Sequence, residues 1–407
     1  MPLSRRSFMT HAALGAGLLT ASTGMAMPQN PTIAGFDDTK TDIDESKPWE
    51  QKFDRKIKMG LVGFGVCQFG TAFSLQNHPN VELVAVSDLF PERCAAMAQV
   101  AKCEKTYPSL EEMLKDDSIE AIFLGTDAPS HARHCLDVMK HGKHVATAVP
   151  ATFGNLEEAD MLFEMVKKTG LNYMMFETST YHDKVYAARQ IYKAGGFGEM
   201  IYTEGEYYHY GTAPYDSFKG WRIGLPPQWY PTHSNAYYVA VTGGSFTEVS
   251  CMGNRSIIPH LMPENNAYKN SFGSEIALFR TSEGGMARMA VTWDTPGLGG
   301  ETGRMSGQKG AYWFGGYQDE RGRDIFNTDE PVKSVKWKKP ALPPEVDPGG
   351  HGGSHGYLGN EFVMSILENR KPLVNIAWAL NMTVAGIVAH QSALKDGELL
   401  KIPQYEF

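Results

Sequence analysis

Lys58-Met-Gly-Leu-Val-Gly63-Phe-Gly65-Val-Cys-Gln-Phe-Gly70 is the stretch whose reading decides the fold. A short apolar run passes into closely spaced glycines and then into residues of helical character. A strand buried on both faces needs continuous apolar residues, and the turn leaving it needs glycines so that the backbone can approach a pyrophosphate at a helix N-terminus. Gln68 stands where a third small residue is usual, so the motif alone is weak. The next apolar run, Val81-Glu-Leu-Val-Ala-Val-Ser87, strengthens it by ending in Asp88, about the distance downstream where a carboxylate accepts from a ribose 2′-hydroxyl. Together they predict a dinucleotide site formed by Gly63, Phe64, Gly65, Val66 and Asp88. Asp88 favours NAD over NADP, because its charge repels a 2′-phosphate; Arg93 softens that preference.

Outward from this motif the chain alternates strand and helix. Pro91 to Ala101 reads as a helix, and Ser109-Leu-Glu-Glu112 as a capping box opening another. Ala121 to Gly125 is a buried strand whose C-terminal loop, Thr126-Asp-Ala-Pro-Ser-His131, lies where open parallel sheets hold ligands, which adds Thr126 and His131 to the cofactor candidates. A helix over His131 to His141, a strand over His144 to Thr147, a turn at Val149-Pro150, a helix capped by Asn155 and a strand over Leu171 to Phe176 follow; Val149 joins the cofactor set. A helix over Asp183 to Ala194 then gives way to strand patterns: Met200 to Tyr210, and two strands around a glycine turn between Glu275 and Trp293. Residues 326–355 read as a loop or lid, and two helices close the chain. The expected fold is α/β: an N-terminal Rossmann domain over 57–176, then an α+β domain with a large, mainly antiparallel sheet over 177–407, its last helices packing back on the first domain.

The 407 residues, 42% of them hydrophobic, are enough for two such cores, and a net charge of −8 without a basic run argues for a small-molecule partner and against nucleic acid. Ser4-Arg5-Arg6-Ser7-Phe8-Met9 before a mildly apolar stretch resembles a twin-arginine export signal over 1–26, with cleavage after Ala26, leaving a periplasmic protein with no membrane contact. Residues 27–56 read as an extended arm. Five scattered cysteines describe neither a disulfide framework nor a metal knuckle. A broad antiparallel sheet with one exposed face suits a homo-oligomer.

Gly125 to His131, Cys135-Leu-Asp-Val-Met-Lys-His-Gly-Lys-His-Val145 and Val149-Pro150 resemble the glucose-fructose oxidoreductase, inositol dehydrogenase and MocA (Gfo/Idh/MocA) superfamily. The resemblance covers nearly everything after Ile57. The middle of the chain, through Glu204-Gly-Glu-Tyr-Tyr-His209, Trp221-Arg222 and Tyr230-Pro-Thr-His233, is most similar to exported NAD-dependent α-N-acetylgalactosaminidases. This implies bound NAD, substrate roles for Tyr207, Tyr230, Thr232 and His233, and a place for Arg222 near the cofactor–substrate junction. Many dehydrogenases of the superfamily carry Glu-Lys-Pro where this chain has Ala148-Val149-Pro150, and an aspartate where it has Trp229; the glycosidases carry a glutamate at the position of Ala148.

Hydride transfer from a carbinol needs a nicotinamide acceptor, a base and donors for the developing oxyanion. His233, with an ordinary pKa near 6.5, is the base candidate, and Tyr230 orients it or relays the proton. Tyr181 and His355 are candidates for the substrate rim. His351 and His355 have no cysteine or carboxylate cluster beside them, so no metal is expected. Three functions fit: a sugar or glycoside oxidoreductase with tightly held NAD; a redox-neutral glycosidase that oxidises, eliminates, hydrates and reduces; and a non-catalytic sugar-binding protein. Export favours one that regenerates its own cofactor.

Overall fold

The computed structural model describes residues 48–407 except 66, 298, 314–315, 323 and 328–338, with 324–327 as backbone alone. The signal at 1–26, the arm up to residue 47, Val66 and part of the loop at 326–355 therefore lie outside the described residues. What is described of the arm rests on its own chain: the Asn80 amide donates to the carbonyls of Phe53 at 2.7 Å and Arg55 at 2.9 Å.

Six parallel strands form the first sheet: β1 (Ile57–Val62), β2 (Val81–Ser87), β3 (Thr106–Tyr107), β4 (Ala121–Leu124), β5 (His144–Thr147) and β6 (Tyr173–Met175), in the order β3-β2-β1-β4-β5-β6. Helices cover both faces, so strand residues such as Leu61, Ile122 and Phe123 are fully buried, as their unbroken apolar runs require. The order reverses between β1 and β4, which opens a crevice at the strands' C-terminal ends. Gly63, at φ +86°, makes that crevice possible: a Cβ there would stand 2.6 Å from the Gly125 carbonyl oxygen of the neighbouring loop. The Ser109 hydroxyl and Asn155 carboxamide cap their helices as the sequence predicts.

The second sheet has nine strands: β7 (Met200–Tyr208), β8 (Phe246–Arg255), β9 (Phe272–Thr281), β10 (Met286–Thr292), β11 (Gly300–Gly307), β12 (Gly310–Trp313), β13 (Gly316–Asp319), β14 (Asp324–Asn327) and β15 (Leu400–Lys401), in the order β14-β13-β12-β11-β7-β10-β9-β8-β15. The β7–β10 pair is parallel and the others are antiparallel. One face carries the helices Thr232–Thr242 and Ile376–Ala393. The first of these is buried from Thr232 through Val241, so it has no polar stripe and no readable helical period. It sits close to the sheet because Gly205 has no side chain; a Cβ there would lie 2.1 Å from the Ser234 carbonyl oxygen. The opposite face exposes Ile201, Met252, Ile276, Leu278 and Met286.

The C-terminal helices return to the first sheet. Met175 N–H donates to Val374 O at 3.1 Å, and His78 Nε2 lies 3.1 Å from Asn360 Oδ1. Among the described residues, no helix is long and apolar enough to cross a membrane.

Candidate active site

A cleft of ≈ 630 Å³ lies between the C-terminal ends of the parallel strands and the second sheet. Gly63, Phe64, Gly65, Asp88, Thr126, His131 and Val149 line one wall; Tyr207, Arg222, Tyr230 and His233 line the other. On the first wall the Asp88 carboxylate accepts from Phe64 N–H at 2.8 Å and Phe90 N–H at 2.9 Å, so it ties the ends of β1 and β2 together and keeps lone pairs for a ligand hydroxyl. Gly65 has φ +59°, and a Cβ on it would meet no protein atom within 4 Å. This open, side-chain-free backbone fits a pyrophosphate, and the acidic group at the end of β2 fits a ribose diol. His131 also lines this wall, but its ring is turned to the backbone. Nδ1 lies 2.8 Å from Pro150 O and Nε2 3.1 Å from Thr126 O, so the ring fixes the β4 loop against the turn after β5. Burial lowers its pKa, and the neutral ring donates to one of these two carbonyls at a time. Ala148 and Val149 leave this part of the cleft apolar, with no ammonium group.

The second wall is organised around His233. The helix start at Thr232 places its ring beside the loop after β6 and the start of β11. Nδ1 lies 2.8 Å from Glu177 Oε1, 3.3 Å from Ser179 Oγ and 3.7 Å from Glu301 Oε1. Ser179 O–H donates to Glu301, and His182 Nδ1 is 3.3 Å from Glu301 Oε2. Glu177 is wholly buried and accepts a second bond from Ser179 N–H at 2.9 Å. Burial works against charge on His233, but Glu177 and Glu301 outweigh it and lift the pKa from 6.5 to about 9. Burial likewise opposes the Glu177 carboxylate, and His233, with help from Thr232, brings it down to about 2. The sequence reading assigned His233 an ordinary pKa suited to a base. The structure gives it two carboxylates and a retained proton at neutral pH.

Aromatic rings wall this group. The Tyr207 ring is 4.6 Å from His233, Tyr230 is 5.6 Å from it, and the Arg222 guanidinium lies 4.2 Å over Trp221 and 5.5 Å over Tyr230. Burial raises the pKa of both tyrosines, more than the nearby Arg222 lowers it, so both phenols keep their protons.

Three candidate residues are not on the cleft wall. Thr232 is fully buried beside Glu177. Tyr181 stacks on Tyr357 with ring centroids 5.5 Å apart, and its carbonyl accepts from Lys339. His355 packs 4.5 Å from Phe73 with Nε2 2.8 Å from His351 Nδ1; burial, then His351, lowers its pKa to about 4. His351 reaches the cleft in its place. Among the described residues, no group of three or more His, Cys, Asp or Glu side chains has metal-binding geometry. Sequence reasoning missed Glu177, Ser179 and Glu301. Glu177 follows the last parallel strand, so the strand-end rule that found Thr126 points to it as well; nothing local marks Glu301.

Residues 57–177 match the GFO_IDH_MocA family, described as an oxidoreductase family with an NAD-binding Rossmann fold. Glycosyl hydrolase family 109 protein 1 of Bacteroides fragilis is 28% identical over 162 residues, 38% of this chain and 35% of that protein. The protein of the same name from Bacteroides thetaiotaomicron is 26% identical over 220 residues, 50% of this chain and 46% of that one. The chain thus spans less than half the length of the curated relatives it matches. Among solved structures, levoglucosan dehydrogenase in complex with NADH and L-sorbose superposes with a TM-score of 0.70 at 18% identity, covering 86% of this chain and all of that one. Apo scyllo-inositol dehydrogenase from Lactobacillus casei gives 0.66 at 16%, covering 86% and 98%. These two share the fold across both sheets. With the glycine turn, Asp88 and the six-stranded order in place, residues 57–177 carry a Rossmann fold similar to the NAD-binding domain of the Gfo/Idh/MocA oxidoreductases.

Proposed function

We propose that the protein is an exported, NAD-dependent oxidoreductase that moves a hydride to and from a ring carbon of a sugar or glycoside, with residues 57–176 holding the cofactor and 177–407 the substrate. The observation that carries this reading is the position of His233: a proton-bearing imidazole flanked by two carboxylates, on the wall facing the dinucleotide-binding loops. Gly63, Phe64 and Gly65 would hold the pyrophosphate of NAD, Asp88 its ribose, and Thr126 and Val149 its nicotinamide half. When bound, NAD supplies the hydride acceptor and donor.

The chain itself handles the proton. With Nδ1–H held on Glu177, Nε2 of His233 is the nitrogen left for the substrate: protonated, it gives its proton to the oxygen as a carbonyl is reduced, and the neutral ring so formed takes the proton back when the hydroxyl is oxidised. A resting pKa of about 9 means that at neutral pH the proton is already on the ring, so the site is set to donate. The neutral phenols of Tyr207 and Tyr230 donate to the substrate oxygen as charge develops.

A second reading is supported by the glycosyl hydrolase family 109 relatives. Here the same oxidation acidifies the neighbouring C–H, the aglycone leaves, water adds, and the hydride returns. The twin-arginine motif supports a periplasmic location and a closed redox cycle, and the exposed apolar face of the second sheet supports a homo-oligomer. The test is the near-ultraviolet absorbance of purified mature protein, without added cofactor, before and after addition of sugars and glycosides. A substrate-dependent change in the nicotinamide band supports the oxidoreductase; accompanying aglycone release selects the glycosidase; no change with any sugar overturns both.

A further inference from the structure

Opening off the cleft is a side chamber of ≈ 50 Å³ bounded by His209, Tyr215, Arg222 and His260; Tyr207, His209, Tyr215 and Arg222 line the main cleft as well. Its lining comes entirely from residues 207–293, none from the dinucleotide loops, so it belongs to the substrate side. It contains no carboxylate. Arg222 is half-buried there, and no acidic partner of it is found among the described residues; its charged group lies over Trp221 and Tyr230, with the Tyr230 phenol as its polar neighbour. Several other arginines have carboxylate partners. Arg288 meets Glu204 and Glu206, Arg304 meets Glu204, and Arg370 meets Glu361 and Glu368. A half-desolvated guanidinium has five N–H donors and a solvation cost that only an anion offsets well.

We infer that this chamber binds a carboxylate carried by the substrate, so that the preferred ligand is a uronate-type sugar or glycoside and Arg222 determines that preference. The space admits a few waters or one carboxylate, not a second sugar ring. The planar fork of arginine matches a carboxylate with two parallel N–H···O bonds. Tyr207 stands between the chamber and the proton-handling group: its ring is 5.7 Å from His209 on one side and 4.6 Å from His233 on the other. Arg222 and His233 each lie beside Tyr230, the guanidinium 5.5 Å and the imidazole 5.6 Å from its ring, so one sugar can meet both groups.

This inference rests on the sugar reading above, and its test is a binding measurement that does not require turnover. Mature protein with NAD present is titrated with methyl glucuronides and galacturonides and with the matching neutral glucosides and galactosides, followed by tryptophan fluorescence and calorimetry. The uronides are expected to bind at least tenfold more tightly, with an advantage that shrinks as salt rises. Arg222→Gln is expected to abolish that advantage while leaving the NAD dissociation constant unchanged, and His233→Ala to retain it. No uronide preference in any sugar series overturns the inference, as does tighter binding of the corresponding sugar phosphates or sulfates. A uronide preference with no nicotinamide absorbance change would leave the chamber assigned and remove the oxidoreductase reading.

Discussion

His233 Nδ1 lies 2.8 Å from Glu177 Oε1, and the glutamate is entirely shielded from solvent. The carboxylate fixes which ring nitrogen is free and holds a proton on the ring. Glu177→Gln keeps the shape and removes the charge. The His233 pKa is then expected to fall from about 9, moving the corresponding limb of the rate profile to lower pH, with turnover reduced about 10- to 100-fold and NAD affinity unchanged. A profile that does not move would show that the pair is structural only.

The same pair links stability to pH. His233 is raised from 6.5 to about 9, so its contribution is complete below about pH 6.5 and is lost as pH rises through 9. Glu177 is lowered from 4.5 to about 2, so its contribution is complete above about pH 4.5 and is lost as pH falls through 2. Urea unfolding of wild type and Glu177→Gln should therefore differ most between pH 4.5 and 6.5 and converge above pH 9. A gap that stays constant to pH 10 would place the stabilisation elsewhere.

The two glycines of the β1 turn separate fold from ligand. Gly63→Ala puts a Cβ 2.6 Å from a backbone oxygen at φ +86° and is expected to cost ~2–5 kcal/mol, measured by denaturant unfolding. Gly65→Ala meets no protein atom and should cost only about 1–2 kcal/mol of left-handed strain. It should still weaken NAD binding by roughly tenfold or more, because its methyl group enters the pyrophosphate space. Equal effects of the two substitutions on stability would contradict this division.

Much of this was legible because local chemistry carried it. The apolar runs, the glycine turn, Asp88 and the caps at Ser109 and Asn155 depend on near neighbours in sequence, and the structure has them where the pattern puts them. The His233 environment depends on residues 56 and 68 positions away, Glu177 and Glu301, and on a buried helix with no amphipathic period. A pKa set by such contacts is invisible to residue type alone. Thr232, Tyr181 and His355 show the converse: motif and rim position nominated them, but helix phase and ring packing turned them away from the cleft.

Asp88 ties two loops together and, in the proposed function, also selects NAD over NADP. Asp88→Ala leaves the amides of Phe64 and Phe90 without their acceptor, at a cost of about 1–3 kcal/mol, and removes the charge that repels a 2′-phosphate. Fluorescence titration should show NAD binding weakened about tenfold while NADP binding weakens less or improves. An unchanged ratio of the two constants would mean that Arg93 and other groups at that end set the preference.

Tyr230 distinguishes an oxyanion donor from a proton relay. Its phenol is buried and its pKa is raised, so in the proposed reaction it is a neutral O–H group beside Arg222. Such a group lowers the barrier by donating to the substrate oxygen, and removing one donor of this kind costs about 10²–10³ in rate. Tyr230→Phe should therefore lose that factor in kcat, change substrate affinity by less than tenfold, and keep the pH limb governed by His233. A relay predicts otherwise: with the phenol gone His233 is cut off from the substrate, and the pH limb disappears together with the rate. Retention of the limb in Tyr230→Phe, and its shift in Glu177→Gln, would place proton transfer on the imidazole and charge stabilisation on the phenol.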